Sequence, residues 1–339
     1  MSLLQLLLDI VFYPPIFQVL VVGLIVSLII VVITIWFERK AAARVQRRLG
    51  PYHVSPQLGG LLQPLADLVR YAFQEPIIPR TVDAAIFVVA PVVAAVLSII
   101  PLGAVPFTSN PAYWPIPMEN SLLIALALST VAPLFIVLTG WASNNKFAVI
   151  GGVREAFMIT AYELIAIVAM LAPAATLSTF NMVDIVEAQA SLTWFILLNP
   201  LAFIAAFLAV VMSTSGFPYE IPESENEVVA GPYSEYSGIL YGVNMGANYL
   251  RRFALSILIA ILFLGGWLPV QPGDGLVAGY LIPTIVVLAK ALIVMLVASF
   301  LRAVYARFRL DQALEGAWKY VFPLALIGLG LGIIENLLL

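Results

Sequence analysis

The chain has 339 residues, of which 62% are hydrophobic and 10% charged, with a mean hydropathy of +1.04. A soluble domain carries about 25% charged residues, so this composition excludes a water-exposed globule and requires lipid as solvent. The formal net charge of −3 offers no basic surface for nucleic acid, and the lack of cysteine excludes disulfides, iron–sulfur ligation and thiolate zinc sites.

In chain order, Leu3–Phe12 is a short apolar run ended by Pro14-Pro15, read as an interfacial lead-in. The first residues lack the basic n-region of a cleaved signal peptide. Eight continuous apolar stretches follow, near or above the ~20 residues an α-helix needs to cross the hydrocarbon core and too unbroken for a β-barrel. They are Ile16–Trp36, Ala84–Ala104, Ser121–Trp141, Ala156–Leu177, Trp194–Ser213, Phe253–Pro269, Tyr280–Leu301 and Tyr320–Leu338. The sixth is the least defined at its start, because Ile239–Tyr249 is also mildly apolar. The expected fold is all-α: one polytopic membrane domain over 1–339 with about eight spans and an amphipathic cytoplasmic-side helix.

Loop charge orients the bundle. The loops 37–83, 142–155, 214–252 and 302–319 hold 15 of the 16 lysines and arginines, and the sixteenth, Lys290, lies within a span. The opposite loops, 105–120, 178–193 and 270–279, hold none. The positive-inside rule then makes the four basic loops cytoplasmic and puts both termini outside. No matching halves are visible, which disfavours an inverted-repeat transporter.

The first loop opens on Glu38-Arg39-Lys40 and leads into the apolar stretch Gly59–Arg70, which contains Gln63-Pro64 and Asp67. A snorkelling basic anchor followed by a surface helix accounts for the cations. The polar groups set in an apolar helix also fit the mouth of a pocket for a lipid-soluble substrate. In the fourth span, Glu163 follows Tyr162 about two turns in. An ionised carboxylate facing lipid there costs about 2.5 kcal/mol or more, so Glu163 faces the bundle, a partner or water. Lys290 in the seventh span is its expected counter-charge.

The third loop is acidic. Glu220, Glu223, Glu225, Glu227 and Glu235 fall in a stretch without a single cation between Arg154 and Arg251. Crowded carboxylates raise one another's pKa. Two readings stand: a solvated loop that docks on a basic partner, or a proton-relaying cluster whose path is fixed by Pro218, Pro222, Gly231 and Pro232. In the fourth loop, Arg302, Arg307, Arg309, Asp311 and Lys319 read as anchors with one Arg–Asp pair, and Trp141, Trp194, Trp267 and Trp318 as an aromatic belt. His53 has no assigned role.

Four separated motifs resemble one family. They are Glu38-Arg-Lys with Gln46-Arg-Arg-Leu-Gly-Pro51 and Leu62-Gln-Pro-Leu-Ala-Asp67; Gly140-Trp-Ala-Ser-Asn-Asn-Lys-Phe-Ala with Arg154 and Tyr162-Glu163; Pro218–Gly231 with Glu235-Tyr-Ser-Gly238; and Arg307-Phe-Arg-Leu-Asp-Gln312 with Trp318-Lys319. In order and spacing they are similar to the H-type membrane subunits of bacterial NADH–quinone oxidoreductase, the mitochondrial NADH dehydrogenase subunit 1 family. The resemblance implies a subunit of a bacterial or archaeal cell membrane that binds no cofactor itself. Flavin and iron–sulfur clusters would reside in partner subunits, and quinone would be the substrate. It places Glu38, Arg39, Gln63, Asp67 and Arg70 near the quinone cavity. It gives Glu163, Glu220, Glu223, Glu225, Glu227 and Glu235 a part in proton coupling; Lys290 joins them as the expected partner of Glu163. Arg302, Arg307, Arg309 and Asp311 fall where a peripheral arm would dock.

The chain also departs from that pattern. Where quinone-reducing members read Ala-Glu-Thr-Asn-Arg, it has Met212-Ser213-Thr214-Ser215-Gly216; a usual Glu-Tyr is Asn248-Tyr249, a usual Gln is Met158, and Pro-Phe-Asp is Pro218-Tyr219-Glu220. The same architecture occurs in energy-converting membrane-bound hydrogenases, whose acceptor is not a quinone, and these losses make that kin group the alternative. The fourth-loop motif and the Leu-Gln-Pro-Leu-Ala-Asp run favour the quinone branch.

Overall fold

Among the described residues, prolines and asparagines punctuate a run of apolar helices. The computed structural model describes residues 18–273, 275 and 277–338. The lead-in Leu3–Phe12 and the first two residues of the first expected span lie outside the described residues. Among those described there are helices and turns but no strand.

The first helix, α1 (Gln18–Val45), runs well past Trp36, because Glu38–Arg44 is rich in strong helix formers. Helix α2 (Gln63–Phe73) carries Pro64 in its first turn, where a missing N–H costs nothing. Helix α3 (Ala84–Ala104) starts on Asp83, which accepts from the Ile86 N–H at 3.5 Å. Helices α4 (Met118–Ala142) and α5 (Lys146–Leu177) are each interrupted shortly before a proline, Pro133 and Pro173. Asn145 caps α5, accepting from the Phe147 N–H at 2.9 Å, so α5 begins ten residues before the expected Ala156. The short helix α6 (Met182–Ser191) precedes the expected fifth span.

That span is shorter than the sequence reading. Trp194–Ser213 divides into a single turn, Phe195–Leu198, and α7 (Pro200–Ser213). Asn199 separates them: its side chain accepts from the Ala202 N–H at 3.2 Å and donates to the Gly328 carbonyl at 2.7 Å. Fourteen residues rise about 21 Å, short of a ~30 Å hydrocarbon core. Helix α8 (Gly238–Phe263) starts fifteen residues before the expected Phe253. Helices α9 (Val277–Val304) and α10 (Leu310–Leu338) follow, with widened π-turns just ahead of Pro283 and Pro323. Among the described residues seven helices are long and apolar enough to cross a membrane, and α7 is a shorter apolar helix beside them.

Helix α8 is the hub. It packs on α3, α9, α7 and α1, and α2 lies across it; α1 also packs on α9, while α7 sits between α5 and α10. Every residue from Phe253 to Phe263 is buried. Close approach elsewhere depends on small residues: a Cβ at Gly328 would lie 2.8 Å from that of Ala202, and one at Gly332 would lie 2.6 Å from the Ala172 carbonyl oxygen.

Lys290 does not meet Glu163. Its ammonium donates to the carbonyls of Leu264, Gly266 and Leu268 at 2.6, 2.8 and 2.6 Å and lies 4.7 Å from the Trp194 ring centroid. The reason is local. The turn that follows α8, at the negative end of the helix dipole, presents these carbonyls, and a cation satisfies both. The adjacent Trp267 is buried in the core rather than standing in an interfacial belt.

Candidate functional site

Where α1, α2 and α8 meet the third loop, the fold leaves a cavity of about 540 Å³. Leu28, Val31, Val32 and Ile35 of α1 give it an apolar wall, and Glu38, Glu220, Glu223 and Glu225 a carboxylate wall. A recess of about 80 Å³ opens beside it, sharing Glu38, Glu220, Glu223, Tyr249 and Arg302, and reaching Thr214, Gly216, Asn248 and Arg252.

Glu38 stands where the cavity and recess join. It is buried, accepts from Arg302 at 2.5 Å and from the Tyr249 hydroxyl at 3.4 Å, and lies 3.6 Å from Arg252. At the rim, Arg39 pairs with Asp67 at 2.6 Å, and Gln63 donates to the same carboxylate at 3.3 Å. Asp67 and Gln63 sit one turn apart on α2, which explains why polar groups interrupt an apolar helix. Arg70 points away: it is exposed, stacked on Tyr71 at 5.0 Å, and does not line the cavity.

The third loop is tied down. Glu220 pairs with Arg307, which also donates to Ser224 at 2.9 Å. Burial pushes the Glu220 carboxyl up, and Arg307 opposes the shift. Glu223 accepts from Asn248 at 3.0 Å and forms no ion pair among the described residues. Burial first, then the neighbouring Glu220 and Glu155, push its carboxyl up to about 8, which favours its protonated form. Asn248 also donates to the Tyr233 hydroxyl at 3.3 Å. Glu227 and Glu235 do not line the cavity; they fasten the loop to α5, Glu227 on Arg154 and Glu235 on Asn145.

Deeper in, Arg251 binds Glu163, donates to the Ser213 carbonyl at 2.5 Å and lies 3.5 Å from the Tyr162 hydroxyl. Tyr162 in turn donates to Glu155 at 2.7 Å. Glu163 is therefore nearly five turns into α5, not two, and its counter-charge is Arg251. The neighbouring Arg252 donates to the Thr214 hydroxyl at 3.0 Å and to the Thr214 carbonyl at 3.3 Å, and approaches Ser299 at 3.5 Å.

The structure thus brings together Glu38, Arg39, Gln63, Asp67, Glu220, Glu223 and Glu225, and sets Glu163 behind them. It leaves Arg70, Glu227, Glu235 and Lys290 apart. Arg302 and Arg307, expected on a docking surface, turn inward to Glu38 and Glu220, whereas Arg309 and Asp311 form an exposed pair at 2.9 Å. The sequence reading missed Arg251 and Arg252, counted as loop cations, and Glu155, left at a loop edge. The available signal was the mild apolarity of Ile239–Tyr249, which carries the helical pattern unbroken into the two arginines.

The NADH dehydrogenase family model matches residues 17–333. The chain belongs to that family. Among its relatives there, the NADH-quinone oxidoreductase H subunit of Geobacillus thermodenitrificans is 38% identical over 306 residues, 90% of each chain. An H subunit of the same oxidoreductase from Syntrophobacter fumaroxidans is 35% identical over 318 residues, covering 91% of this chain and 92% of that one. The corresponding H subunit of Brevibacillus brevis is 34% identical over 295 residues, 87% and 85% of the two chains. Family membership and seven long apolar helices make this a multi-pass cell-membrane protein.

Proposed function

We propose that this chain walls the quinone cavity of a proton-translocating, complex I-like oxidoreductase and passes the effect of quinone reduction inward through its glutamates. The observation that carries this reading is the cavity itself: an apolar face on α1 suited to an isoprenoid tail lies opposite carboxylates suited to respond to a head group. Flavin and iron–sulfur centres belong to partner subunits on this reading, and electrons reach the quinone from them. Reduction of a quinone changes the charge beside Glu38 and Glu223. In a low-dielectric setting such a change alters proton affinity over several ångströms.

Gly246 supplies the test. It lines the cavity, and a Cβ placed there meets nothing within 4 Å. Gly246→Leu therefore adds an apolar side chain on the cavity lining from a Cβ that meets no neighbour, and it gains about 1 kcal/mol of helix propensity. In the purified complex, quinone reduction is expected to be inhibited competitively by a quinone-site ligand, and the KM for quinone to rise about tenfold in Gly246→Leu. Hydrogen evolution from reduced ferredoxin, insensitive to quinone, would overturn the proposal in favour of the hydrogenase kin.

A further inference from the structure

The two buried carboxylates of α5 have different partners. Glu163 is bound by the Arg251 guanidinium, a fixed positive charge that favours its ionised form. Glu155, two turns earlier, is only 2% exposed and forms no ion pair among the described residues. Its Oε1 accepts from the Tyr162 hydroxyl at 2.7 Å. Without a counter-ion its charge state follows the charges around it. Those facing it are Tyr162 and Glu163 on its own helix, Arg251 on α8, and Glu223 and Tyr233 on the third loop.

The backbone places Glu155 against that loop. One turn before it, Gly151 packs so tightly on the 231–233 turn that a Cβ there would lie 2.6 Å from the Gly231 Cα. The acidic loop and the helix turn carrying Glu155 are therefore in direct contact, and the charges of Glu223 and Glu155 act on each other. Groups that stabilise an ionised Glu155 are already in position: the Tyr162 hydroxyl points at it, and Arg251 lies 3.5 Å behind that oxygen.

We propose that Glu155 is the proton-exchanging carboxylate of this inner axis, and that Arg251 keeps Glu163 paired while it positions Tyr162. This rests on the coupling role proposed above. When the charge at Glu223 changes, Glu155 gains or loses a proton while Glu163 does not.

The test uses the assembled complex in proteoliposomes, comparing wild type with Glu155→Gln, Glu155→Asp and Glu163→Gln. Glu155→Gln keeps the shape and the Tyr162 hydrogen bond, and is expected to lower quinone-linked proton translocation about tenfold while electron transfer continues. Glu155→Asp should restore pumping with a shifted pH profile, which a purely packing role would not produce. Redox-induced infrared difference spectra of the wild type should contain a protonated-carboxyl band that disappears in Glu155→Gln and persists in Glu163→Gln. Wild-type pumping in Glu155→Gln, or a carboxyl band lost only in Glu163→Gln, overturns the assignment. A wild-type complex that moves no protons on quinone reduction would instead refute the coupling role itself.

Discussion

Glu223 faces the cavity with an asparagine as its partner, and its carboxyl is pushed up to about 8 by burial and by its acidic neighbours. In the unfolded chain the same group titrates near 4.3. Between about pH 5 and 8 the native state therefore holds a proton that the unfolded state has released, so stability falls as pH rises across that window and levels off above it. Glu223→Gln, which mimics the protonated form, should flatten this slope; thermal unfolding of the purified complex from pH 5 to 9 reads it. Equal slopes in the two proteins would show that Glu223 is ionised throughout. The residues beside it bear on the departures noted in the sequence. Gly216 replaces a family arginine, yet a Cβ there would lie 2.9 Å from the Arg252 guanidinium. A cation is thus present at that place, delivered from α8, and position 248, read against a usual Glu in the sequence pattern, is here an amide donating to Glu223.

At the scale of elements, the helices are set by apolar length and by their caps, while their mutual approach is set by single glycines. Along α10, Gly328 and Gly332 face α7 and the end of α5, whereas a Cβ at Gly330 meets nothing within 4 Å. Gly328→Val would drive a branched side chain into the Ala202 backbone, 2.8 Å from its nitrogen, and neither helix can yield without parting. Overpacking of this kind costs about 1–3 kcal/mol or more. Gly330→Ala, two residues away, should be neutral or gain up to about 1 kcal/mol of helix propensity. Thermal melts of the complex should therefore show a lowered Tm for Gly328→Val and an unchanged or raised one for Gly330→Ala. If both behave alike, α10 is not docked on α7 through Gly328. The apolar length of α10 was legible in the sequence. Its packing glycines were not, because three glycines spaced two apart look alike until one knows which face meets a neighbour.

At the scale of the whole molecule, the sequence revealed where charge is concentrated but not which charges meet. Hydropathy located the long helices, and the cation-free stretch between Arg154 and Arg251 located the loop that closes the cavity. Pairing escaped it because the partners sit on different helices and loops, far apart in sequence. Glu163 with Lys290 was the economical match among residues inside the expected spans. Arg251 was counted among the cations of the loop 214–252, so it did not stand beside Glu163 in that reading. Glu38 shows how distant the partners can be, since its carboxylate joins α1 to Arg252 on α8 and to Arg302 on α9. Removing one partner of a buried pair typically costs 3–5 kcal/mol, because a bare charge is left behind. Here the cost of Glu38→Gln should be smaller, about 1–3 kcal/mol. Arg302 is 42% exposed and can turn to water, and Arg252 keeps Thr214 and Ser299. The expected result is an assembled complex whose Tm falls by a few degrees. Arg302→Met in the Glu38→Gln background should add little to that loss, because the two changes remove one shared interaction. A double variant whose losses simply add would show that Glu38 and Arg302 stabilise the bundle independently.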